Sequence, residues 1–143
     1  MELSTLDILV RLLVAGLLSA VIGFEREAHK KPAGMRTNAL VGIGTAMVTI
    51  ASIALAKFGG ADATDVSRLV ASILPGIGFI GAGTVIHSGA SVKGLTTASS
   101  IWVVAAIGIA AGLGMYDLAV VGTILALVAL IALPRLPEEE SKK

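Results

Sequence analysis

The chain lacks cysteine and is poor in charged and aromatic residues, and each shortage excludes a class of protein. Without cysteine, neither a disulfide nor a thiolate metal site can form. Charged residues make up 15% of the 143 residues, whereas a soluble domain carries about 25%. A single tryptophan, a single tyrosine and three phenylalanines supply little bulk for a globular core. A net charge of +1 gives no reason to expect a nucleic-acid partner.

What the chain has instead is long apolar stretches, since 55% of its residues are hydrophobic. A helix needs about 17–25 residues to cross the hydrocarbon core of a bilayer. The pattern therefore predicts an all-α membrane protein with five transmembrane helices, in a domain spanning residues 1–134 with a polar cytoplasmic tail at 135–143. A soluble bundle of buried helices is the alternative, but such stretches leave almost no polar face for water. The five stretches are 6–24, 37–56, 69–86, 96–114 and 118–133.

The basic residues between the stretches predict the orientation. Eight of them fall on one side of a five-span arrangement, whereas only Lys57 and Arg68 fall in a loop on the other. The positive-inside rule then places the N-terminus outside and the C-terminus in the cytoplasm. The eight are Arg26, Lys30, Lys31, Arg36, Lys93, Arg135, Lys142 and Lys143.

An internal repeat is visible under this layout. Ile22-Gly23-Phe24 recurs as Ile77-Gly78-Phe79, and Gly34-Met35-Arg36-Thr37 resembles Gly94-Leu95-Thr96-Thr97. Each repeat is a pair of helices around one cytoplasmic loop. Two such pairs run parallel, so we expect a pseudo-two-fold axis along the membrane normal, with a fifth helix added.

The charged segment 23–38 is the main candidate for function. Glu25 and Arg26 begin it and Arg36 ends it, and a turn between them can bring Glu25 close to either arginine. Carboxylates suit hard cations such as Mg²⁺, and guanidinium groups suit phosphate. Thr37 or Asn38 could cap the second helix, whose N-terminal end favours an anion. The alternative is a solvated interface that only sets orientation.

A glycine-rich segment, 75–83, contains a G-x-G-x-x-G pattern. A dinucleotide site needs a preceding strand and an acidic residue about twenty positions later, and neither is predicted here. Two interpretations remain: close packing of helices through small residues, or a helix broken at membrane depth. The residues concerned are Pro75, Gly76, Gly78, Gly81 and Gly83.

Two further patterns concern helix packing. Asp7 and Arg11 stand four residues apart, acid first, which favours a charge pair on one helix face. Gly108 and Gly112 form a GxxxG pattern in the fourth stretch. Helix faces of this kind pack against a second copy of the chain, so we predict a homodimer.

Several of these motifs occur together and in order in a known family, and the chain resembles the MgtC/SapB membrane proteins over about residues 5 to 133. The resemblance rests on two groups of motifs. The first comprises Gly23-Phe24-Glu25-Arg26-Glu27, Lys31-Pro32-Ala33-Gly34-Met35-Arg36-Thr37 and Leu40-Val41. The second comprises Gly76-Ile77-Gly78-Phe79-Ile80-Gly81-Ala82-Gly83, Lys93-Gly94-Leu95-Thr96-Thr97-Ala98, Trp102 and Ala105-Ala106-Ile107-Gly108.

The resemblance implies a multi-pass protein of a bacterial or archaeal inner membrane. Members are linked to growth in low magnesium and to virulence, and some are thought to restrain the F-type ATP synthase or to affect phosphate uptake. Many carry a soluble C-terminal domain, and we expect this chain to be a short form without it. The implied ion- or ligand-binding candidates are Glu25, Arg26, Glu27, Arg36, Thr37, Asn38, Thr96 and Thr97.

Three functions follow as hypotheses. The first is a transporter or binder of a small ion, with Mg²⁺ as a possible ligand and no cofactor. The second is a regulator that binds another membrane protein through its helices. The third is an intramembrane enzyme, which is disfavoured because the chain has no HExxH motif and no Ser/His/Asp spacing.

Overall fold

The computed structural model describes residues 3–59, 67–68, 70–88 and 91–133. Within these ranges the chain forms five named helices and one short β-hairpin. The tail at 135–143 and the loop residues Asp62 and Asp65 lie outside the described residues. The helices are α1 (Thr5–Ala28), α2 (Met35–Gly59), α3 (Ile73–Ala82), α4 (Leu95–Leu113) and α5 (Tyr116–Ala132), and the strands are β1 (Ile86–Ser88) and β2 (Ser91–Lys93).

Local hydrogen bonds explain where α1 and α2 begin. Ser4 and Asp7 form a capping box: Asp7 N–H donates to Ser4 Oγ (3.1 Å) and Ser4 N–H donates to Asp7 Oδ2 (3.0 Å). At the start of α2, Met35 N–H donates to Glu27 Oε2 (3.1 Å). The connection between the two helices turns sharply, with positive φ at Lys30 and Ala33.

The third predicted stretch, 69–86, is only partly helical. Residues 70–71 are helical, a turn follows at Ser72, and α3 then runs from Ile73 to Ala82. Pro75 lies in the first turn of α3, where its missing N–H removes no intrahelical hydrogen bond. Ser72 itself has α-helical backbone angles and its N–H donates to the carbonyl of Arg68, so the broken helix stays a prediction. Ile86, expected at the end of this helix, instead starts β1 and pairs with Lys93 in the antiparallel hairpin.

The core lies where α1, α2 and α4 meet. Its buried residues are small or β-branched, which lets the three helices approach closely. Helix α5 packs on α4 and α1, and α3 packs on α4. The central buried residues are Ala15, Ile22, Ala46, Val104, Ile107, Ala110, Ala111 and Ala119.

Glycine allows a tight contact between α2 and α4. A Cβ at Gly108 would collide with Thr45 Oγ1 and with the backbone carbonyl of Gly42, and one at Gly112 would lie 2.9 Å from Ala46 O. The GxxxG pattern is thus buried inside the protomer. The homodimer stays a prediction, but the motif on which it was based packs against α2.

The glycines predicted to mark close contacts in α3 behave differently. A Cβ added at Gly76 or Gly78 would meet nothing within 4 Å, and one at Gly81 would make ordinary contact with Ala98 at 3.6 Å. Close packing inside the protomer is therefore the wrong interpretation for Gly76 and Gly78.

Three helices are long and apolar enough to cross a membrane: Thr5–Ala28, Met35–Ala56 within α2, and Leu95–Leu113. The ten residues of α3 extend only about 15 Å, half of the ~30 Å hydrocarbon core. Helix α5 has 17 residues, close to the lower limit for a span. The five-span arrangement and its orientation remain predictions.

We expect Gly108→Ala to destabilise the protein and Gly78→Ala to leave its stability unchanged. The new methyl group at position 108 meets backbone as well as side chain on α2, and overpacking of this kind costs about 1–3 kcal/mol. Thermal unfolding of purified variants in mild detergent measures both effects. Equal melting of the two variants would contradict the assigned contact.

The absence of cysteine makes the orientation directly testable. The 29–34 turn and the Gly114 turn lie at opposite ends of α1 and α4, so we expect Met115→Cys to react with an impermeant thiol reagent applied outside intact cells. Lys30→Cys should react only after the membrane is permeabilised. The reverse pattern would place the N-terminus inside.

Candidate functional site

The candidate site is a buried charge pair near the C-terminal end of α1. The side chains of Glu25 and Arg26 are 5% and 4% exposed, and Arg26 Nη1 lies 4.0 Å from Glu25 Oε2. Arg26 Nη2 donates a hydrogen bond of 2.8 Å to Thr97 Oγ1 in the first turn of α4. The predicted partner of Glu25 was either Arg26 or Arg36, and the structure selects Arg26.

His29 lies beside this pair, one turn further along α1. Its Nδ1 is 3.0 Å from Glu25 Oε1 and 2.9 Å from the backbone carbonyl oxygen of Glu25. Its side chain is 48% exposed, so the imidazole connects the buried carboxylate with the surface. The sequence analysis did not single out His29, although its i, i+4 spacing from Glu25 was the available signal.

The other predicted ligand-binding residues are divided between the interior and the surface. Arg36, Thr37 and Thr96 are exposed, and Arg36 forms no salt bridge among the described residues. Asn38 is fully buried and its Nδ2 donates to the carbonyls of Ala33 and Gly34, the latter at 3.0 Å. Asn38 thus closes the first turn of α2, which is a structural role.

Glu27 is separate from the buried pair, although it is only two residues from Glu25. It is exposed, and its carboxylate accepts the Met35 N–H at the beginning of α2. A negative charge there also complements the positive end of the helix dipole. The structure therefore gives Glu27 the capping role that was predicted for Thr37 or Asn38.

Asp7 and Arg11 do not form the predicted charge pair. Asp7 is engaged in the capping box with Ser4, whereas Arg11 Nη1 donates to the backbone carbonyl of Gly112. The guanidinium also lies 3.1 Å from the position of a Cβ on Gly114. Arg11 therefore caps the C-terminal end of α4, where a cation is favoured.

Buried hydroxyl groups continue the polar interior beyond Arg26. Most of them donate to a backbone carbonyl three or four residues earlier on their own helix, which satisfies them at membrane depth. Sequence reasoning missed these residues because a serine or threonine in an apolar stretch carries no distinct signal. They are Thr45, Thr49, Ser52, Ser100 and Thr123.

The arrangement offers one carboxylate, one guanidinium and one imidazole within a mostly apolar bundle. In the described part of the chain, no group of three or more His, Asp or Glu side chains could hold a metal ion.

Comparisons with known proteins agree with this picture. The sequence profile of the MgtC family matches residues 12–138. The chain belongs to the MgtC family. It is 41% identical over 133 residues to "Putative magnesium transporter YhiD" of Escherichia coli K12, covering 88% of this chain and 60% of that protein.

Other MgtC family relatives are similarly close. Protein MgtC of Salmonella typhimurium LT2 is 41% identical over 125 residues, covering 87% of this chain and 52% of that protein. An uncharacterized protein of Haemophilus influenzae is 42% identical over 130 residues, covering 87% of this chain and 55% of that protein. The chain thus spans a little over half the length of these relatives. No solved structure shows significant similarity to it.

Family membership confirms the predicted resemblance. Together with the three long apolar helices it identifies a membrane protein. The names of the relatives support a magnesium-related family.

Two neighbouring threonines test the contact of Arg26. We expect Thr97→Val to destabilise the protein by about 1–3 kcal/mol, because the buried guanidinium loses an acceptor. Thr96→Val makes the same substitution at an exposed position and should have little effect. Thermal unfolding of the two purified variants compares them directly. If both melt like the parent, the hydrogen bond contributes nothing to stability.

Proposed function

We propose that this protein is a multi-pass protein of the inner membrane that binds a small ion at the Glu25–Arg26 pair and acts in ion homeostasis. The observation that supports this most is the burial of a charged pair in an otherwise apolar helix bundle. Intramembrane charges are rare and mark ion or proton pathways by default. The names of the magnesium-related relatives support the part of the proposal that concerns ion homeostasis.

Stability does not explain why the pair is there. Replacing a buried ion pair by well-packed apolar residues is often neutral or stabilising, whereas removing only one partner costs about 3–5 kcal/mol. A protein that only needed to fold would gain little from Glu25 and Arg26. The pair is better explained as a functional site.

The location of Arg26 supports the same conclusion. Thr97 belongs to the first turn of α4, so the guanidinium lies near the positive end of that helix dipole, where a cation is disfavoured. Glu25 offsets this positive potential. Together the two side chains form a site without net charge, so a bound ion changes the net charge of the site.

The decisive comparison is between the buried and the exposed arginine. In a strain that depends on this protein, we expect Arg26→Gln and Glu25→Gln to abolish growth under magnesium limitation. Arg36→Gln, which removes an exposed arginine, should grow like the parent. Membrane abundance is measured in parallel, so that loss of folding is separated from loss of function.

Normal growth of the Glu25 and Arg26 variants at normal abundance would contradict the proposal. Failure of all three variants would assign the function to the whole charged segment rather than to the buried pair.

A second candidate function is binding to a membrane-protein partner such as the F-type ATP synthase. One observation favours it: an open groove of about 370 Å³ between α3 and α4, beside Gly76 and Gly78, where an added Cβ would meet no described atom within 4 Å. Phe79, next to them, is 84% exposed. Gly78→Leu separates the two functions, because it should block a helix partner while leaving the Glu25–Arg26 site intact.

A further inference from the structure

The Glu25 carboxylate has no hydrogen-bond donor of its own. Both oxygens are buried, and among the described residues neither accepts a hydrogen bond. His29 Nδ1 is close enough to Oε1, at 3.0 Å, but its bond at 2.9 Å goes to the backbone carbonyl of Glu25. Arg26 is 4.0 Å from Oε2, too far for a hydrogen bond. A buried carboxylate without donors is costly, so its oxygens are available to bind a small ligand.

We propose that Glu25 and His29 together form a proton-binding site, in which His29 exchanges protons with water and Glu25 holds one inside the bundle. This deepens the proposed function by naming the proton as the ion that the site takes. The buried acid and the half-exposed imidazole are in direct contact, which is the geometry needed for a short relay.

The relay is a single transfer. With the imidazolium beside the carboxylate, the proton on His29 Nδ1 moves to Glu25 Oε1. The N–H bond breaks, an O–H bond forms, and a charged pair becomes a neutral imidazole and a neutral carboxylic acid. The reverse step returns the proton to His29, whose exposed ring releases it to water.

The composition of the site favours a proton over Mg²⁺. Mg²⁺ requires near-octahedral oxygen coordination and usually takes one or two carboxylates and several waters. Here one carboxylate is buried next to a guanidinium, so the pair has no net negative charge to attract a dication. A proton needs only the single basic oxygen that Glu25 offers.

The other charged groups around Glu25 are few. On α1 its charged or titratable neighbours are Arg26 and His29. Helix α4 has no titratable residue. On α2 the only charged residue near this end is Arg36, which is exposed and forms no salt bridge in the described structure. None of the remaining nearby groups forms a salt bridge with Glu25: Glu27, Lys30, Lys31, His87 and Lys93.

Infrared difference spectroscopy tests the proposal with the intact protein in lipid. As the pH is lowered, we expect a carboxylic acid C=O band from an acid shielded from water, distinct from the bands of the exposed carboxyls. The band should be lost in Glu25→Gln. His29→Gln should keep the band but shift the pH at which it appears, whereas His87→Gln, which removes the only other histidine, should change nothing.

A measurement on the wild-type protein does not depend on whether a variant folds. Labelling the glutamate carboxyls with ¹³C should move the band, and Glu25→Asp should replace it by a band that does not respond to the label. A shielded band that survives in Glu25→Gln, or no such band in labelled wild type, would overturn the proton site. Identical spectra of the two histidine variants would overturn the relay.

The test of the proton site and the test of the proposed function can fail independently of each other. If Glu25→Gln abolishes growth under magnesium limitation while wild type shows no shielded acid, the site acts in homeostasis without binding a proton. If the band is present and the variant grows normally, the proton site exists and the proposed function is wrong.

Discussion

The requirement that every polar group in a bilayer find its partner inside the protein governs this structure. Arg26 is 3% exposed, and an unpaired arginine at membrane depth costs about 2.5–3.5 kcal/mol even on insertion scales. Glu25 and Thr97 lie beside its guanidinium and help to hold it there. This contact fixes the C-terminal end of α1 against the N-terminal turn of α4. The depth of the site follows from that packing.

The same requirement explains the buried hydroxyl groups and the glycines. Five of the buried serines and threonines donate to carbonyls of their own helix, so they need no partner on a neighbouring helix. Gly108 and Gly112 then allow α2 to approach α4 closely. Dispersion contacts replace the hydrophobic effect as the source of helix association, since lipid tails are as apolar as the side chains.

The parts of the fold that follow from periodicity and length could be predicted. The predicted stretches 6–24, 37–56, 96–114 and 118–133 all correspond to helices, with bounds shifted by a few residues. The end of stretch 69–86 was wrong because β-branched and apolar residues such as Val85 and Ile86 suit a strand as well as a helix. Their hairpin is defined by its pairing with residues 91–93, and a single segment carries no information on its partner.

The candidate site could be predicted as a segment but not as a set of contacts. Charge in an apolar chain marked residues 23–38, and Glu25 and Arg26 were among the candidates. Which arginine pairs with Glu25 depends on tertiary contacts: Arg26 is buried and donates to Thr97 of α4, whereas Arg36 is exposed. For the same reason the i, i+4 pattern of Asp7 and Arg11 suggested a pair, whereas Arg11 contacts Gly112, 101 positions away.

Helix α1 has two buried or half-buried arginines, one with a structural role and one in the candidate site. Fifteen positions separate Arg11 from Arg26, and fifteen separate Thr97 from Gly112, so both pairs span about 22 Å of helix. Helices α1 and α4 run antiparallel, and each arginine meets one end of α4. Arg11 lies at the negative end of the helix dipole, where a cation stabilises the fold.

Arg26 lies at the positive end of α4, where the dipole opposes a cation. Unlike Arg11, it has a buried carboxylate next to it, and that carboxylate contacts a half-exposed imidazole. Because the spacing along the two helices is equal, Arg11 lies at the end of α4 whose dipole favours a cation. Arg26 lies at the end whose dipole opposes one, so another group has to balance its charge. Glu25 balances the charge of Arg26, so this end of the bundle is the part of the molecule that we propose responds to an ion.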